Sequence, residues 1–162
     1  MTAFRAPEWS INARAPWALE ILVREGVRTD ASMAPVKLVG ETSFPRYPHR
    51  RSTPAGPIGE VPPLVADRWG QVLPIGWGWA LRMSSPARVL AAIDQANAAG
   101  RPAVLTVHPW ELDPDPPQVR LPLRLRFAHY FRLDGFAERL GEVVRGAAFG
   151  PIREMRPISA EL

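Results

Sequence analysis

Three residues have the chemistry of an acid–base site if the fold brings them together: His108, Asp30 and Arg5. Histidine ionises near neutral pH, so His108 suits a general acid or base. A carboxylate such as Asp30 would orient an imidazole in that role, and the fixed charge of Arg5 would keep a nearby carboxylate ionised. Each also has an ordinary structural explanation: a polar-loop histidine, a turn aspartate and a surface arginine. Proximity decides between the two interpretations.

Other side chains suggest binding of a sugar or a metal. Tryptophans near these positions could stack on sugar rings, although ordinary packing explains any single one; they are Trp9, Trp77, Trp79 and Trp110. The segment from His108 to Asp115 also contains Glu111 and Asp113. Its prolines prevent the helical spacing that pairs of metal ligands use, and it has no second histidine, so a metal site in this loop is the weaker interpretation.

Length and composition indicate one soluble domain. The chain has 162 residues, of which 46% are hydrophobic and 22% charged, enough for a single core. It has no cysteine, which excludes disulfides, thiolate nucleophiles and cysteine-based zinc sites. No apolar run approaches the ~18 residues of a membrane helix, and the first residues lack the apolar core of a secretory signal. We therefore expect no membrane span and a cytoplasmic location.

The basic residues are nearly all arginine. The net charge is +4, and Lys37 is the one lysine among 20 basic residues. The arginines are scattered along the chain without an aromatic–glycine recognition pattern, so we expect no nucleic-acid binding. Arginine favours paired contacts to carboxylates, because its planar fork is always charged.

The elements that must position these residues alternate between strands and helices. Strands are predicted at 2–5, 27–30, 58–65, 71–75, 103–107 and 149–155, and helices at 15–25, from Pro86 to Gly100 and across 136–144. Ser84 or Ser85 would cap the second helix and Asp134 the third. A proline-rich irregular segment is predicted at 35–57. The pattern indicates an α/β fold with a mostly parallel sheet, which places Asp30 and His108 at the carboxyl ends of strands.

Such a fold points to part of a barrel. A closed (β/α) barrel typically takes ~250 residues, so this chain supplies only part of one. The glycines in Gly76-Trp77-Gly78-Trp79 would let the backbone approach a neighbour closely. A partial barrel exposes a sheet edge and apolar surface, so we expect homodimerisation or aggregation of the isolated chain. No phosphate loop, dinucleotide fingerprint or nucleophile elbow is present in the sequence.

Four ordered motifs carry a family resemblance. They are Phe4-Arg5-Ala6-Pro7-Glu8-Trp9-Ser10, Trp17-Ala18-Leu19-Glu20-Ile21-Leu22, Thr29-Asp30-Ala31-Ser32 and His108-Pro109-Trp110-Glu111-Leu112-Asp113-Pro114. In this order the chain resembles the exosortase-associated polysaccharide deacetylases of the NodB-like carbohydrate esterases. The likeness extends through Ala128 to Ile152. The chain is similar to the C-terminal half of such an enzyme, with 1–110 as part of the barrel and 111–162 as the family's C-terminal extension.

The resemblance implies a metal-dependent hydrolase that removes N-acetyl groups from a polysaccharide in exopolysaccharide biosynthesis. Arg5 would brace the base aspartate, Asp30 would tune the acid histidine, and His108 would protonate the leaving amine. Substrate contacts are expected at Pro7, Trp9, Trp77 and Trp110.

The departures from the family concern the metal. Relatives hold a divalent metal, usually zinc, with residues of motifs that precede Arg5, so we expect none bound by this chain alone and an inactive isolated chain. Two further hypotheses follow: a non-catalytic glycan-binding or scaffold remnant, and a split enzyme completed by a separate N-terminal chain.

Overall fold

A computed structural model describes residues 2–37, 39–68 and 70–155. The structure is mixed α/β, with most strands in the first half of the chain and most helices in the second. The strands are β1 (Ala3–Phe4), β2 (Thr29–Asp30), β3 (His49–Thr53), β4 (Gly56–Glu60), β5 (Val65–Arg68) and β6 (Gln71–Pro74). The α-helices are α1 (Trp17–Arg24), α2 (Gly78–Met83), α3 (Pro86–Ala98), α4 (Leu123–Tyr130) and α5 (Phe136–Gly146). Turns of 3₁₀ helix lie at Pro7–Trp9, Pro109–Leu112 and Ile152–Glu154.

The first half is built on a four-stranded sheet with the order β1-β2-β4-β3. β1, β2 and β4 run parallel, and β3 runs antiparallel to β4. Phe4 pairs with Asp30, and Asp30 pairs with Glu60, so the last residues of three parallel strands form one row. The strands and helices confirm the α/β prediction, but the strands are not mostly parallel: β3 and the separate pair of β5 and β6 are antiparallel. The described residues form no closed barrel, and the partial barrel stays a prediction.

The predicted buried strand at 103–107 is wrong as a regular strand. Thr106 forms an isolated parallel bridge with Trp77, and residues 103–107 are half-buried. The backbone of this segment bonds two different partners, with Leu64 donating to Val104 and Thr106 donating to Gly76, so no continuous ladder forms. A Cβ on Gly76 would lie 2.6 Å from the Leu64 nitrogen and 2.7 Å from the Val104 oxygen, which confirms a close backbone approach at this glycine.

Two helices match their predicted positions because local signals agree with burial. α1 lies within 15–25 and ends before Gly26, whose φ of 77° suits glycine. α3 starts at Pro86, and the Ser85 hydroxyl accepts a hydrogen bond from the Arg88 nitrogen at 3.3 Å. Proline at the first position and a serine cap therefore define this helix start.

Three other predictions are corrected. The irregular segment at 35–57 contains β3 and the beginning of β4, because the turn at Pro54 reverses the chain into a hairpin rather than ending regular structure. Gly135, in the left-handed conformation, precedes α5 in place of an Asp134 side-chain cap. The last predicted strand, 149–155, contains a 3₁₀ turn instead, and Pro151 at its start cannot donate to a strand ladder. α2 and α4 were not predicted.

Three apolar clusters support these elements. One joins α3 and α5 to the loops beside them, and its buried members include Leu64, Ile75, Val89, Ile93, Phe136 and Val143. A second packs α1 on the sheet, with Ile11, Leu19, Val27, Met33 and Ile58. The third lies at the carboxyl ends of the strands and contains Trp9, Ala34, Val36 and Trp77. Apolar residues thus reach the same region as the predicted site residues.

The surface of the described residues includes open edges. β1 and β3 are the two outer strands of the four-stranded sheet. β3 carries Arg50 and Arg51, and charged side chains on an edge discourage pairing with another chain. α4 exposes Leu123, Leu125 and Phe127 by half or more of their surface. Of the helices in the described ranges, none has the length and apolar character needed to cross a bilayer.

Candidate functional site

The segment after β1 places Arg5 against an aromatic ring. The Arg5 guanidinium carbon lies 5.2 Å from the centre of the Trp9 ring, within the range of a cation–π contact. Glu8 and Trp9 have φ values of 55° and 50°, a left-handed conformation that residues other than glycine seldom adopt. Such backbone persists only where surrounding packing enforces it, and here Trp9 is 6% exposed.

Asp30, at the end of β2, is fully buried and fixed by Ser32. The Ser32 nitrogen and hydroxyl donate to the two Asp30 carboxylate oxygens at 3.1 and 2.7 Å. The same hydroxyl accepts from the Ala6 nitrogen at 2.7 Å. Ser32 therefore links Asp30 to the segment that carries Arg5, which explains why these two motifs lie side by side.

Glu60, at the end of β4, is the neighbour of Asp30 in the sheet and is also fully buried. The two carboxyl side chains lie within hydrogen-bonding reach of each other. Burial raises the pKa of Glu60 well above its ordinary value, and the nearby charge of Asp30 raises it further. Burial also raises the pKa of Asp30, although hydrogen bonds from Ser32 and Glu60 oppose that effect. Two buried acids in contact favour a state in which one stays protonated.

His49 of β3 continues this row on the other side of Glu60. It is 3% exposed, and its Nδ1 lies 3.0 Å from the Tyr47 carbonyl oxygen. Its Nε2 is buried and has no hydrogen-bond partner among the described residues. Burial lowers the pKa of His49, and the charge of Arg51 lowers it further, so the neutral imidazole is favoured. The row therefore contains two acids and a histidine that resists protonation.

His108 follows the 103–107 segment and forms part of an aromatic stack. Its ring lies 6.0 Å from the Trp110 ring at an interplanar angle of 13°. Trp110 also stacks on His129 of α4, at 4.0 Å and 22°, and the Arg82 guanidinium carbon lies 5.6 Å from the centre of its ring. Trp110 is half-buried, so this stack borders on solvent. A flat aromatic surface flanked by two imidazoles suits contact with a sugar ring.

A buried ion pair holds the His108 loop in place. The Arg82 Nε donates to a Glu111 carboxylate oxygen at 3.1 Å, and both side chains are at most 1% exposed. The second Glu111 oxygen accepts from the His108 nitrogen at 3.0 Å. Arg82 also donates to the carbonyls of residues 128, 129 and 131, where α4 ends and leaves its last carbonyls unpaired. This guanidinium therefore joins the His108 loop to α4.

The structure brings the predicted residues to one region without bonding them directly. Arg5 contacts Trp9, the Trp9 and Trp77 rings are 4.9 Å apart, and Trp77 bridges Thr106, two residues before His108. Within the described ranges, no hydrogen bond or ion pair joins Asp30 to His108 or to Arg5. Asp30 instead bonds Ser32 and is paired in the sheet with Glu60. The predicted trio thus shares an edge of the fold.

The four expected substrate contacts differ in exposure. Trp9 and Trp77 are 6% and 4% exposed and pack in the third apolar cluster, so packing accounts for both rings. Pro7 is exposed at the start of a 3₁₀ turn, and Trp110 lies on the half-buried stack. Over the part of the chain that the structure describes, no group of three or more histidine or acidic side chains fits a metal ion.

The sequence analysis missed Glu60 and Arg82 and gave no role to His129 or His49. Glu60 ends β4 as Asp30 ends β2, but the strand was predicted at 58–65, which placed Glu60 inside it rather than at its end. Arg82 gives no local signal, because its acidic partner lies 29 residues away. His129 becomes recognisable only once α4 is placed beside Trp110.

Comparison with known proteins identifies the family. Neither the curated proteins nor the solved structures contain a match to this chain. A family model described as a domain of unknown function, DUF3473, matches residues 31–156. That match includes Glu60, Arg82 and the His108 loop, and it starts directly after Asp30. Because it spans more than half of the sequence, the chain belongs to the DUF3473 family.

Proposed function

We propose that this chain is the C-terminal portion of a metal-dependent polysaccharide deacetylase that hydrolyses N-acetyl groups of a sugar polymer. The observation that carries the proposal is the shared edge of Arg5, Asp30 and His108, in the order that the resemblance assigns to them. Arg5 and Asp30 follow paired parallel strands, and His108 is tied to them through Trp9 and Trp77. This edge is where α/β folds collect their chemistry.

The proposed reaction needs a proton donor at the leaving nitrogen. Water adds to the acetyl carbonyl carbon and gives a proton to the base aspartate, which in the related enzymes belongs to a motif before the one that Arg5 resembles. The carbon–nitrogen bond then breaks, and the products are acetate and the sugar amine. In this scheme the His108 imidazolium gives its proton to that nitrogen as the bond breaks. The resemblance assigns to Asp30 the tuning of this histidine.

The described residues do not fit the metal that the resemblance implies, because they contain no group of three or more candidate ligands. Metal ligands are therefore not assigned to them. β1 is an edge of the four-stranded sheet, and its outer side pairs with no other described strand. In the related enzymes the metal-binding motifs come before the motif that Arg5 resembles.

The test is acetate release from N-acetylglucosamine oligosaccharides. The protein should be produced from its native locus with any upstream coding sequence retained and with zinc supplied. We expect His108→Ala to lower kcat/KM by roughly 10²–10⁴-fold, the usual contribution of a general acid. The control Asp94→Asn changes an exposed residue of α3 and should leave kcat/KM unaltered. Full activity of His108→Ala would overturn the proposal.

A second candidate function is glycan binding without catalysis. The aromatic stack favours it, because Trp110 contacts both His108 and His129, and the described residues contain no group of three or more candidate metal ligands. Calorimetric titration of the chain with the same oligosaccharides tests this candidate. Trp110→Ala should abolish binding, whereas Trp17→Ala, at a tryptophan that is 61% exposed on α1, should preserve it. Absence of binding by the unmodified chain would exclude this function.

A further inference from the structure

We propose that Glu60 is a positioning residue that holds a shared proton against Asp30, so that Asp30 alone carries the negative charge of the pair. The shared proton is a property of this chain, while its value for catalysis rests on the proposed function. The two acids occupy matching positions on parallel strands, are fully buried and lie within hydrogen-bonding reach. Two carboxylates only accept hydrogen bonds, so a bond between them requires one proton.

The surrounding donors decide which acid keeps the proton. Asp30 accepts from the nitrogen and the hydroxyl of Ser32. Glu60 accepts from the Met33 nitrogen at 3.1 Å through Oε1, while its Oε2 receives no hydrogen bond from any described N–H or O–H. Hydrogen bonds stabilise the charged form of a carboxyl group, so the negative charge belongs on Asp30. A proton on Glu60 turns its unpartnered oxygen into a donor.

No neighbouring cation in the described residues pairs directly with the two acids. The salt bridges of the described chain involve neither Asp30 nor Glu60. His49 faces Glu60 from β3, but its burial favours the neutral ring. Arg51, also on β3, lowers the pKa of Glu60 through its charge, and this effect is smaller than those of burial and Asp30. These surroundings therefore favour a single negative charge on the pair.

A neutral Glu60 would add a hydrogen bond to the Asp30 carboxylate beside the two from Ser32. Ser32 in turn holds the Ala6 nitrogen, next to Arg5. One proton on Glu60 thus orients the Asp30 carboxylate and, through Ser32, the backbone that leads into the predicted site. The role is positional, because Glu60 acts on the reaction only through Asp30.

The first experiment measures the side-chain carboxyl ¹³C shifts of Asp30 and Glu60 against pH in the labelled, unmodified chain. We expect one carboxyl, assigned to Glu60, to remain protonated well above the ordinary range of a glutamate while Asp30 is ionised. Ionisation of both groups near their ordinary values of about 4 would overturn the proposal. This measurement needs no substrate and no variant, so it stands even if the deacetylase proposal fails.

The second experiment compares Glu60→Gln with Glu60→Leu in the acetate-release assay. The amide keeps a hydrogen-bond donor for Asp30, whereas leucine removes it at similar volume. We expect Glu60→Leu to lose roughly 10–100-fold in kcat and to shift the acid limb of the pH profile, as misplacement near a reacting group does. If Glu60→Gln restores both kcat and the acid limb of the pH profile, the positioning role is supported. Equal loss in the two variants, when both fold, would contradict it.

Discussion

Two fully buried glutamates sit in the two halves of this molecule and meet opposite partners. Glu60, in the sheet half, faces Asp30 and a histidine that burial keeps neutral. Glu111, in the helical half, faces the buried guanidinium of Arg82. Both side chains are equally buried, so the difference lies in the partner. A second acid favours a retained proton, whereas a permanent cation favours an ion pair. Burial by itself therefore does not predict the charge of a carboxyl group.

The largest expected effect comes from breaking the ion pair. Arg82→Met leaves Glu111 buried without its cation, which typically costs about 3–5 kcal/mol of the free energy of unfolding. Urea unfolding followed by tryptophan fluorescence measures this loss. The double variant Arg82→Met/Glu111→Leu removes both charges and should recover part of it. A single-variant loss below about 1 kcal/mol would show that the pair is not buried in solution.

The second largest effect is the pH dependence that Glu60 gives to the free energy of unfolding. The unfolded chain loses the Glu60 proton near the ordinary value of 4.5, but the folded chain keeps it to higher pH. Above that value the free energy of unfolding should fall as pH rises, by up to about 1.4 kcal/mol per pH unit. Glu60→Gln should remove this slope, and Glu138→Gln, at an exposed position of α5, should leave it. An unchanged slope in Glu60→Gln contradicts a retained proton.

A smaller effect of opposite sign is expected at His49. Its pKa is lowered in the folded state, so below the ordinary value of 6.5 the unfolded chain takes up a proton that the folded chain refuses. The free energy of unfolding should therefore decrease as pH falls through that range. His49→Gln retains a donor for the Tyr47 carbonyl and should reduce this acid sensitivity. Thermal unfolding between pH 7 and pH 5 measures the difference; equal sensitivity in both proteins would refute it.

The smallest effect is expected at the exposed ion pairs, which serve as the reference for the buried pair of Arg82 and Glu111. Arg24 pairs with Glu20 on α1, and Arg46 pairs with Asp67, with at least one member of each pair largely exposed. Arg24→Ala and Arg46→Ala should each change the free energy of unfolding by about 0–1 kcal/mol in the same urea experiment. A loss comparable to that of Arg82→Met would mean that burial does not set the strength of these pairs.

The sequence predicted best those helices whose ends are marked by nearby capping, proline or glycine residues. Ser85, Pro86 and Gly100 bound α3 correctly because a cap and a stop act within a few residues. β3 was missed because prolines near it suggested a loop, although Pro57 sits within a strand paired to it. Residues 103–107 looked like a buried strand, but they make only one or two backbone hydrogen bonds to each neighbouring segment, too few for a regular ladder.

The site was predicted in part for the same reason. Asp30 and His108 each follow a strand-like segment, and that pattern is visible along the chain. The partners of Asp30 depend on sheet register, which places Glu60 beside it only in three dimensions. Arg82 depends on a contact between distant segments. Sequence patterns therefore identified Asp30 and His108 as candidates. The pairing of β2 with β4 was needed to find Glu60 as the neighbour of Asp30.

The hydrogen bonds of Arg82 also impose an order on folding. Its partners lie 29 to 49 residues further along the chain, ending at Phe131. During synthesis the charged group emerges before any of them, and it stays hydrated until they leave the ribosome. Contacts at such separation form late because the intervening chain must first be ordered. The helical half should therefore close in one late step, in which α4 and the His108 loop dock on Arg82 together.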